Sequence, residues 1–220
     1  MAKKVFIGVG HGGSDPGAVA NGIKEKDAAL TIALACKAEL ERHGVVVRIS
    51  RFKDENDPLE QRIRECNDFA PDLALDIHLN AGGGDGVEVF YHYKGGTSKE
   101  LAENVLNAIV AAGQNSRGIK VKLGADGRDY FGFIRRTNPP AVIVECAFLD
   151  NKKDVQIIDT VAEQKAMGVA IAKGVLKTLG IAWQPEETYT VTVSGLPKER
   201  ADKLAAELKV KGHIAKVAKA

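Results

Sequence analysis

Short apolar runs alternate with amphipathic helical stretches between residues 5 and 180. Strands that alternate with helices along a chain pair into a mostly parallel sheet that the helices cover. The sequence therefore predicts an α/β fold with a mostly parallel sheet flanked by helices. The predicted strands are Val5–Val9, Val45–Ser50, Asp72–Ile77, Val87–Tyr91, Phe131–Ile134 and Ala141–Glu145. The predicted helices are Lys26–His43, Leu59–Phe69, Ser98–Ala112 and Glu163–Leu179.

Capping and loop residues indicate where some of these elements begin and end. Asp57 is the predicted N-cap of the second helix, with Pro58 at its first position, and Ser98 is the predicted cap of the third. Residues 113–130 hold few apolar side chains and many Gly, Lys and Arg, so we expect a long exposed loop there. The strand Val87–Tyr91 is expected at an edge of the sheet.

The composition limits the classes of protein to which the chain can belong. A hydrophobic content of 45% supports a buried core, and the sequence has no apolar run long enough to span a membrane. A net charge of +2 is too small to argue for nucleic acid as a partner. The three cysteines have wide spacing and apolar neighbours, which favours buried free thiols over disulfides. They are Cys36, Cys66 and Cys146.

The N-terminal sequence is Met-Ala-Lys-Lys, directly followed by the first predicted strand. A secretory signal peptide would carry a separate apolar segment and a cleavage site here. We therefore expect a protein made in the cytoplasm without a signal peptide. Either it stays there, or it leaves by another route, or the sequence is a trimmed form of a longer one.

The segment 183–187, Trp-Gln-Pro-Glu-Glu, marks a domain boundary. It separates a predicted main domain, residues 1–182, from a tail, residues 188–220. The tail pattern predicts a strand at Tyr189–Val193, a helix at Pro197–Lys211 and a strand at His213–Val217. Such a small C-terminal βαβ unit cannot bury a core alone. It must dock on the main domain, pair with a second copy, or be half of a larger unit.

Three chargeable side chains come at the ends of predicted strands. His11 lies in the glycine-rich loop after the first strand, His78 follows the run Leu73–Ile77, and Glu145 follows Ala141–Val144. Ligands of open parallel sheets bind beyond the carboxyl ends of the strands. The three side chains are therefore expected to form one site.

The glycine-rich loop also matches a dinucleotide fingerprint, through Gly8, Gly10 and Gly13. In that motif the third glycine opens a helix whose N-terminus holds the pyrophosphate. Here a turn sequence follows, Ser14-Asp15-Pro16-Gly17. Dinucleotide binding stays as an alternative, but a histidine within such a loop fits a metal site better.

Two imidazoles and one carboxylate are a common zinc-binding set in hydrolytic enzymes. His11 and His78 supply the nitrogens, and Glu25, at the start of a helix after the glycine loop, is well placed to supply the carboxylate. Asp15 and Asp76 compete with Glu25 for that role. Glu145 is best interpreted as a general base and acid, so the chemistry predicted is hydrolysis of an amide or ester.

Some of these residues also have simple structural explanations. A histidine beside glycines is often only a turn residue, and His11 alone would be weak evidence for a site. Arg51, Arg62 and Asn67 are consistent with ordinary surface or capping roles.

At these residues the sequence resembles the zinc-dependent N-acetylmuramoyl-L-alanine amidases of bacterial autolysins and phage endolysins. The matching motifs, in the family's order, are GHGGSDPGA (10–18), KE (24–25), SR (50–51), LEQRIRECN (59–67), DIHLNA (76–81), GVEVFY (86–91) and VECAFLDN (144–151). The resemblance implies that His11, Glu25 and His78 bind Zn²⁺ and that Glu145 is the catalytic carboxylate. Asp76 stands where the family usually has serine, a departure that we expect to matter little.

The resemblance also implies the substrate and the place of action. The bond cut would join N-acetylmuramic acid to L-alanine in peptidoglycan, so the protein would lyse bacterial cell walls after its release from the cytoplasm. Residues 188–220 are similar to half of a sporulation-related repeat that binds peptidoglycan, which implies wall binding or a homodimer through this tail. No nucleic-acid or membrane partner is expected. A non-catalytic cell-wall-binding protein is a further alternative.

Overall fold

The computed structural model describes residues 2–185, 193–210 and 217, and its larger unit is built around a six-stranded sheet. The strands are β1 (Lys4–Val9), β2 (Val19–Ala20), β3 (Ile23–Lys24), β4 (Val46–Ile49), β5 (Leu73–Asn80), β6 (Val87–Tyr91), β7 (Ser116–Lys120) and β8 (Ala141–Phe148). The helices are α1 (Glu25–Arg42), α2 (Leu59–Phe69), α3 (Thr97–Ala111), α4 (Gly132–Arg136), α5 (Lys152–Val155), α6 (Val161–Thr178) and α7 (Lys198–Val210).

The main sheet has the strand order β4-β1-β5-β8-β6-β7. Its neighbouring strands are parallel except β6 and β8, which run antiparallel. β2 and β3 form a separate two-stranded hairpin around the Asn21-Gly22 turn. The predicted α/β class, with a mostly parallel sheet between helices, is confirmed.

The two faces of the sheet are covered by different helices. The larger core lies on one face, where buried residues of α1, α3 and α6 pack against alternate residues of the strands. A smaller cluster lies on the other face and includes Phe6, Ala74 and Ile143 from the strands, with Ile63 of α2 and Phe133 of α4. Successive strand residues point to opposite faces, so each strand contributes to both layers.

Three expectations about residues 87–136 are wrong. The segment expected to be a long loop contains the strand β7, which pairs with β6 at the edge of the sheet, so β6 is an inner strand. β7 joins the sheet through backbone hydrogen bonds, and its half-exposed side chains give little sequence signal. The predicted strand Phe131–Ile134 is instead largely the helix α4, whose Phe133 is buried in the smaller cluster.

Both predicted helix caps are also wrong. The N-cap of α2 is Pro58, and the Asp57 carboxylate instead accepts a hydrogen bond from buried Arg62. The N-cap of α3 is Gly96, while the Ser98 hydroxyl donates to the carbonyl oxygen of Ala141 at 2.6 Å. The partner of Asp57 is a side chain one turn into the same helix, five positions away, whereas the partner of Ser98 lies 43 positions away on β8.

The three cysteines are buried free thiols, as predicted. Among the described residues, no helix is long and apolar enough to cross a membrane.

The second compact unit begins after Gln184. Within it the structure describes the helix α7, whose less exposed face holds Ala201, Leu204, Ala205 and Leu208. Apart from Val193 and Val217, the two predicted tail strands lie outside the described residues, so the βαβ arrangement and the domain limits stay predictions.

Candidate active site

His78 and Glu145 lie side by side on the two central strands of the sheet. His78 of β5 is directly paired with Glu145 of β8, so both side chains project from the same face. Both strands continue beyond these residues, to Asn80 and Phe148, and the two side chains therefore lie within strands rather than after them. Their position on regular strands fixes the distance between their backbones.

His11 and Glu25 are brought to the same place by the loop after β1. His11 adopts φ +61°, within the glycine-rich loop, and Glu25 is the first residue of α1, with only 3% of its surface exposed. Glu25 Oε2 lies 3.1 Å from His11 Nε2, and Glu25 Oε1 lies 3.0 Å from His78 Nδ1. One ligand atom from each of the three residues lies within 4.8 Å of the others. This convergence forms a possible His/Glu/His metal site.

Glu25 and the two histidines stabilise one another in their charged forms. Hydrogen bonding to Glu25 raises the pKa of His11 despite partial burial. Burial would lower the pKa of His78, but the charges and hydrogen bonds of Asp76 and Glu25 outweigh it and raise that pKa well above its usual value. Burial would raise the pKa of Glu25, yet hydrogen bonds from both imidazoles hold it below its ordinary value. A bound cation would satisfy the same carboxylate.

The two competing aspartates lie on the outer sides of the histidines. Asp15 Oδ2 is 2.8 Å from His11 Nδ1, the ring nitrogen that faces away from Glu25. Asp76 Oδ2 is 3.4 Å from His78 Nε2, which likewise faces away from Glu25. Each imidazole therefore has one nitrogen directed into the cluster and the other directed at an aspartate.

Glu145 is half-buried and has a poorly satisfied carboxylate. No described residue donates a hydrogen bond to its buried Oε2 oxygen. Burial raises the pKa of the Glu145 carboxyl to about 7, with the charge of His78 opposing the shift. Glu88 lies on β6, directly opposite Glu145 of β8. Unlike Glu145, its carboxylate accepts hydrogen bonds from Arg117 and from Lys120, the latter at 2.8 Å. Glu145 is thus suited to exchanging a proton.

Sequence reasoning missed two buried arginines beside the site. Arg51 is 1% exposed, and its guanidinium donates to the carbonyl oxygens of Gly10 at 3.0 Å and Lys26 at 2.6 Å. It thereby ties the glycine-rich loop to the start of α1. Arg62 is 4% exposed and pairs with Asp76. The sequence did offer one signal for Arg51. It directly follows the predicted strand Val45–Ser50, a position at which a surface role does not require an arginine.

The glycines of the apparent dinucleotide fingerprint leave space for groups of the neighbouring strand and loop. A Cβ atom at Gly10 would lie 2.6 Å from His78 Nδ1, and one at Gly8 would overlap Asp76 and Arg62. Gly13 has φ +56°, and a Cβ there would overlap Asn56. These positions lack side chains because those of the neighbouring strand and loop occupy the space.

A cleft of about 520 Å³ opens beside His11 and His78. Its walls include Asn56, Leu59, Phe131 and Phe133, among other residues. The cleft combines the titratable cluster with an apolar and aromatic wall, which is the usual composition of a site for an organic ligand.

The family model described as N-acetylmuramoyl-L-alanine amidase matches residues 5–177 of the chain. The chain belongs to this amidase family. The match includes His11, Glu25, His78 and Glu145, and it ends before the second unit begins.

Named relatives agree with this assignment. The amidase is 32% identical over 217 residues to the N-acetylmuramoyl-L-alanine amidase CwlM of Bacillus licheniformis, covering 97% of this chain and 84% of the relative. It is 36% identical over 180 residues to the endolysin of Bacillus phage SPP1, covering 77% of this chain and 66% of the endolysin.

A solved N-acetylmuramoyl-L-alanine amidase from Clostridium difficile 630 has a similar structure, with a TM-score of 0.74 and 33% sequence identity. The likeness covers 81% of this chain and 97% of that one. The predicted enzyme class, N-acetylmuramoyl-L-alanine amidase acting on peptidoglycan, is confirmed, and the alternative of a dinucleotide-binding protein is not supported.

Proposed function

We propose that the amidase is zinc-dependent, that His11, Glu25 and His78 hold the ion, and that Glu145 is its catalytic carboxylate. The observation that supports this most directly is the convergence of three ligand atoms within 4.8 Å at one end of the sheet. They come from a loop, a helix start and a strand, so no single local structure would bring them together.

The donor set fits zinc. Two imidazole nitrogens and one carboxylate oxygen form a ligand set that Zn²⁺ accepts, and three protein ligands leave a fourth position open, as in hydrolytic zinc sites. Zinc bound there would supply Lewis acidity to the substrate carbonyl and to a water molecule.

Glu145 handles the proton in this proposal. Its carboxylate accepts the proton of the attacking water and then delivers it to the nitrogen of the departing L-alanine. In the metal-free chain, burial raises the pKa of this carboxyl to about 7, which favours proton uptake near neutral pH. Its place beside His78 on the neighbouring strand puts this carboxylate next to the ligand cluster.

The cleft beside the cluster is the proposed binding place for the peptidoglycan fragment. Phe131 and Phe133 offer an apolar wall, and Asn56 offers an amide. We also propose that the enzyme acts on the cell wall after its release, because relatives include bacterial amidases and a phage endolysin.

Residues 188–220 are proposed to serve wall binding or pairing of two copies, and not catalysis. All four proposed site residues lie in the first unit, and the family match ends at residue 177.

The metal proposal is tested by His78→Ala, with His92→Ala as the matched control. His92 lies outside the cluster, and its Nε2 is 3.2 Å from Asp129. We expect His78→Ala to lose most of its zinc in metal analysis and to stop cleaving purified cell walls. His92→Ala should retain zinc, and mass spectrometry should find new L-alanine N-termini in its digests.

Chelator treatment provides the complementary test. Removal of the metal should abolish cleavage, and added zinc should restore it. Full zinc content and full activity in His78→Ala would refute the ligand assignment, whereas cleavage at another bond would refute the proposed reaction.

A further inference from the structure

Asp76 is a buried carboxylate that the proposed chemistry does not use. It lies two residues before His78 on β5, so both side chains project from the same face of the sheet. Only 2% of its surface is exposed, and both of its oxygens accept hydrogen bonds from Arg62 Nη1, at 3.0 and 2.9 Å. A buried charge of this kind needs a reason.

Arg62 is itself held firmly from the other side. Its Nε donates to Asp57 Oδ2 at 3.1 Å, and its Nη2 donates to the carbonyl oxygen of Asp57 at 3.0 Å. Asp57 Oδ2 also accepts a hydrogen bond from the Ser50 hydroxyl at 2.6 Å. The guanidinium therefore has little freedom to rotate, and Asp76 has little freedom to leave it.

The space around this pair is closed by Gly8 on the neighbouring strand. A Cβ atom at that position would lie 2.8 Å from the Arg62 side chain and would overlap a carboxylate oxygen of Asp76. The strand β1 thus leaves room for the Asp76–Arg62 pair, and the pair is confined to one arrangement.

Asp76 presents one oxygen to the metal-binding histidine. Its Oδ2 lies 3.4 Å from His78 Nε2, while His78 Nδ1 faces Glu25 Oε1 at 3.0 Å. The imidazole therefore has a carboxylate at each nitrogen, but only the Nδ1 side belongs to the ligand cluster.

We propose that Asp76, locked in place by Arg62, is a positioning residue for His78. By accepting the Nε2–H of the imidazole, Asp76 keeps the proton on that nitrogen, fixes the ring orientation and leaves the Nδ1 lone pair free for the ion. Carboxylates that support a metal-binding histidine in this way are worth about 10–100-fold in metal affinity. The inference rests on the proposed zinc centre, and it gives a role to the residue that stands at the serine position of the family pattern.

The competing explanation is that Asp76 only neutralises Arg62. Asp57 provides the matched control, because it binds the same guanidinium from the other side, and the contacts described for it are with Arg62 and Ser50. Asp57→Ala and Asp76→Ala each remove one carboxylate from Arg62, and we expect both to lower the melting temperature. Only Asp76→Ala removes the contact with His78.

The decisive measurement is zinc affinity, by competition with a chromophoric chelator at constant pH. Asp76→Ala should bind zinc about 10–100-fold more weakly than the wild type. Asp57→Ala, which loosens Arg62 but keeps the contact between Asp76 and His78, should lose much less zinc affinity, and Asp76→Asn, which retains an oxygen acceptor, should recover part of the loss. Equal zinc affinity in Asp76→Ala and the wild type, or an equal loss in Asp57→Ala, would overturn the proposal.

A second readout covers the case in which Asp76→Ala does not fold. In the zinc-loaded wild type, the Nε2 proton of His78 should give an NMR signal protected from exchange with water. Asp76→Asn should shift that signal and speed its exchange, and an unchanged signal would overturn the role of Asp76. If the wild type takes up no zinc, the proposed metal centre itself is refuted. If the wild type and Asp76→Ala take up zinc with equal affinity, only the role of Asp76 is refuted.

Discussion

The two faces of the central strands differ in how many charged residues they carry. On β5, the residues directed toward α1 and α6 are leucine and isoleucine, whereas those on the other face include Asp76 and His78. On β8, Val142 and Val144 belong to the large core, and Glu145 lies on the opposite face. One face therefore supplies the larger share of apolar burial, whereas the other combines a smaller apolar cluster with the candidate site.

The comparison shows how buried charges can be tolerated beside a functional site. Arg62 is paired with two carboxylates, and Glu88 is bonded by two cations, so these charges are compensated where they are buried. Glu145 differs, because no described residue bonds its buried Oε2 oxygen. Among the described residues, Glu145 therefore lacks the paired cation that compensates Asp57, Asp76 and Glu88, which fits the proton exchange proposed for it.

The largest expected effect comes from Glu145→Gln on the polar face. General acid–base catalysis contributes about 10²–10⁴-fold, and glutamine retains the shape of the side chain but cannot exchange the proton. We expect muropeptide hydrolysis to fall by that factor while zinc content stays normal. Steady-state rates and metal analysis of the purified variant make the measurement.

Glu88→Gln is the control, because it removes the neighbouring buried carboxylate, and its rate should stay near that of the wild type.

The pKa of Glu145 also predicts a change in stability for Glu145→Gln. Burial raises this pKa from 4.5 to about 7, so the folding stability of the zinc-free wild type falls as the pH rises from 4.5 to about 7 and the carboxyl has to ionise. Glutamine does not ionise, so zinc-free Glu145→Gln should be more stable than the wild type at about pH 7 and above. Near-normal hydrolysis by Glu145→Gln would make Glu145 a structural residue.

Leu75→Ala on the apolar face is expected to lower stability strongly and to leave the rate of each folded molecule unchanged. Leu75 is fully buried in the larger core. Such truncations cost about 2–5 kcal/mol of unfolding free energy, because they remove apolar contacts and leave a cavity. Denaturant unfolding should report this loss, while the rate per folded molecule stays unchanged.

That result would show that a substitution on the apolar face lowers the unfolding free energy, whereas one on the polar face lowers the rate. A large loss of rate in folded Leu75→Ala would instead mean that the apolar face also controls the geometry of the site. The division described above would then be incorrect.

The smallest effect on catalysis is expected from a chain that ends at Gln184. Both faces of the sheet belong to the first unit, so a soluble muropeptide should be cleaved at the wild-type rate. Sedimentation and cell-wall pull-down of the two chains should reveal what residues 188–220 add. A full chain that is dimeric where the shortened chain is monomeric would favour pairing, and a difference only in pull-down would favour wall binding. Loss of soluble activity would contradict a purely accessory tail.

Much of this arrangement was determined by the sequence alone. Hydrophobic periodicity reports which residues of one element are buried, so the main strands and α1, α2, α3 and α6 were predictable to within a few residues. The positions of His11, His78 and Glu145 after apolar runs predicted one shared site, and the motif order predicted the family.

Only the tertiary structure decided how the charges are shared. Glu25 and His78 are separated by 53 positions, and Arg62 and Asp76 by 14, so no periodic pattern within one element reports either pair. The same limit explains why Ser98 was expected to cap a helix and why Arg62 was given a surface role, since their partners Ala141 and Asp76 lie 43 and 14 positions away. Local propensity counts the partners within a few residues of the chain, whereas a buried charge is satisfied by whichever group the fold brings within hydrogen-bond distance.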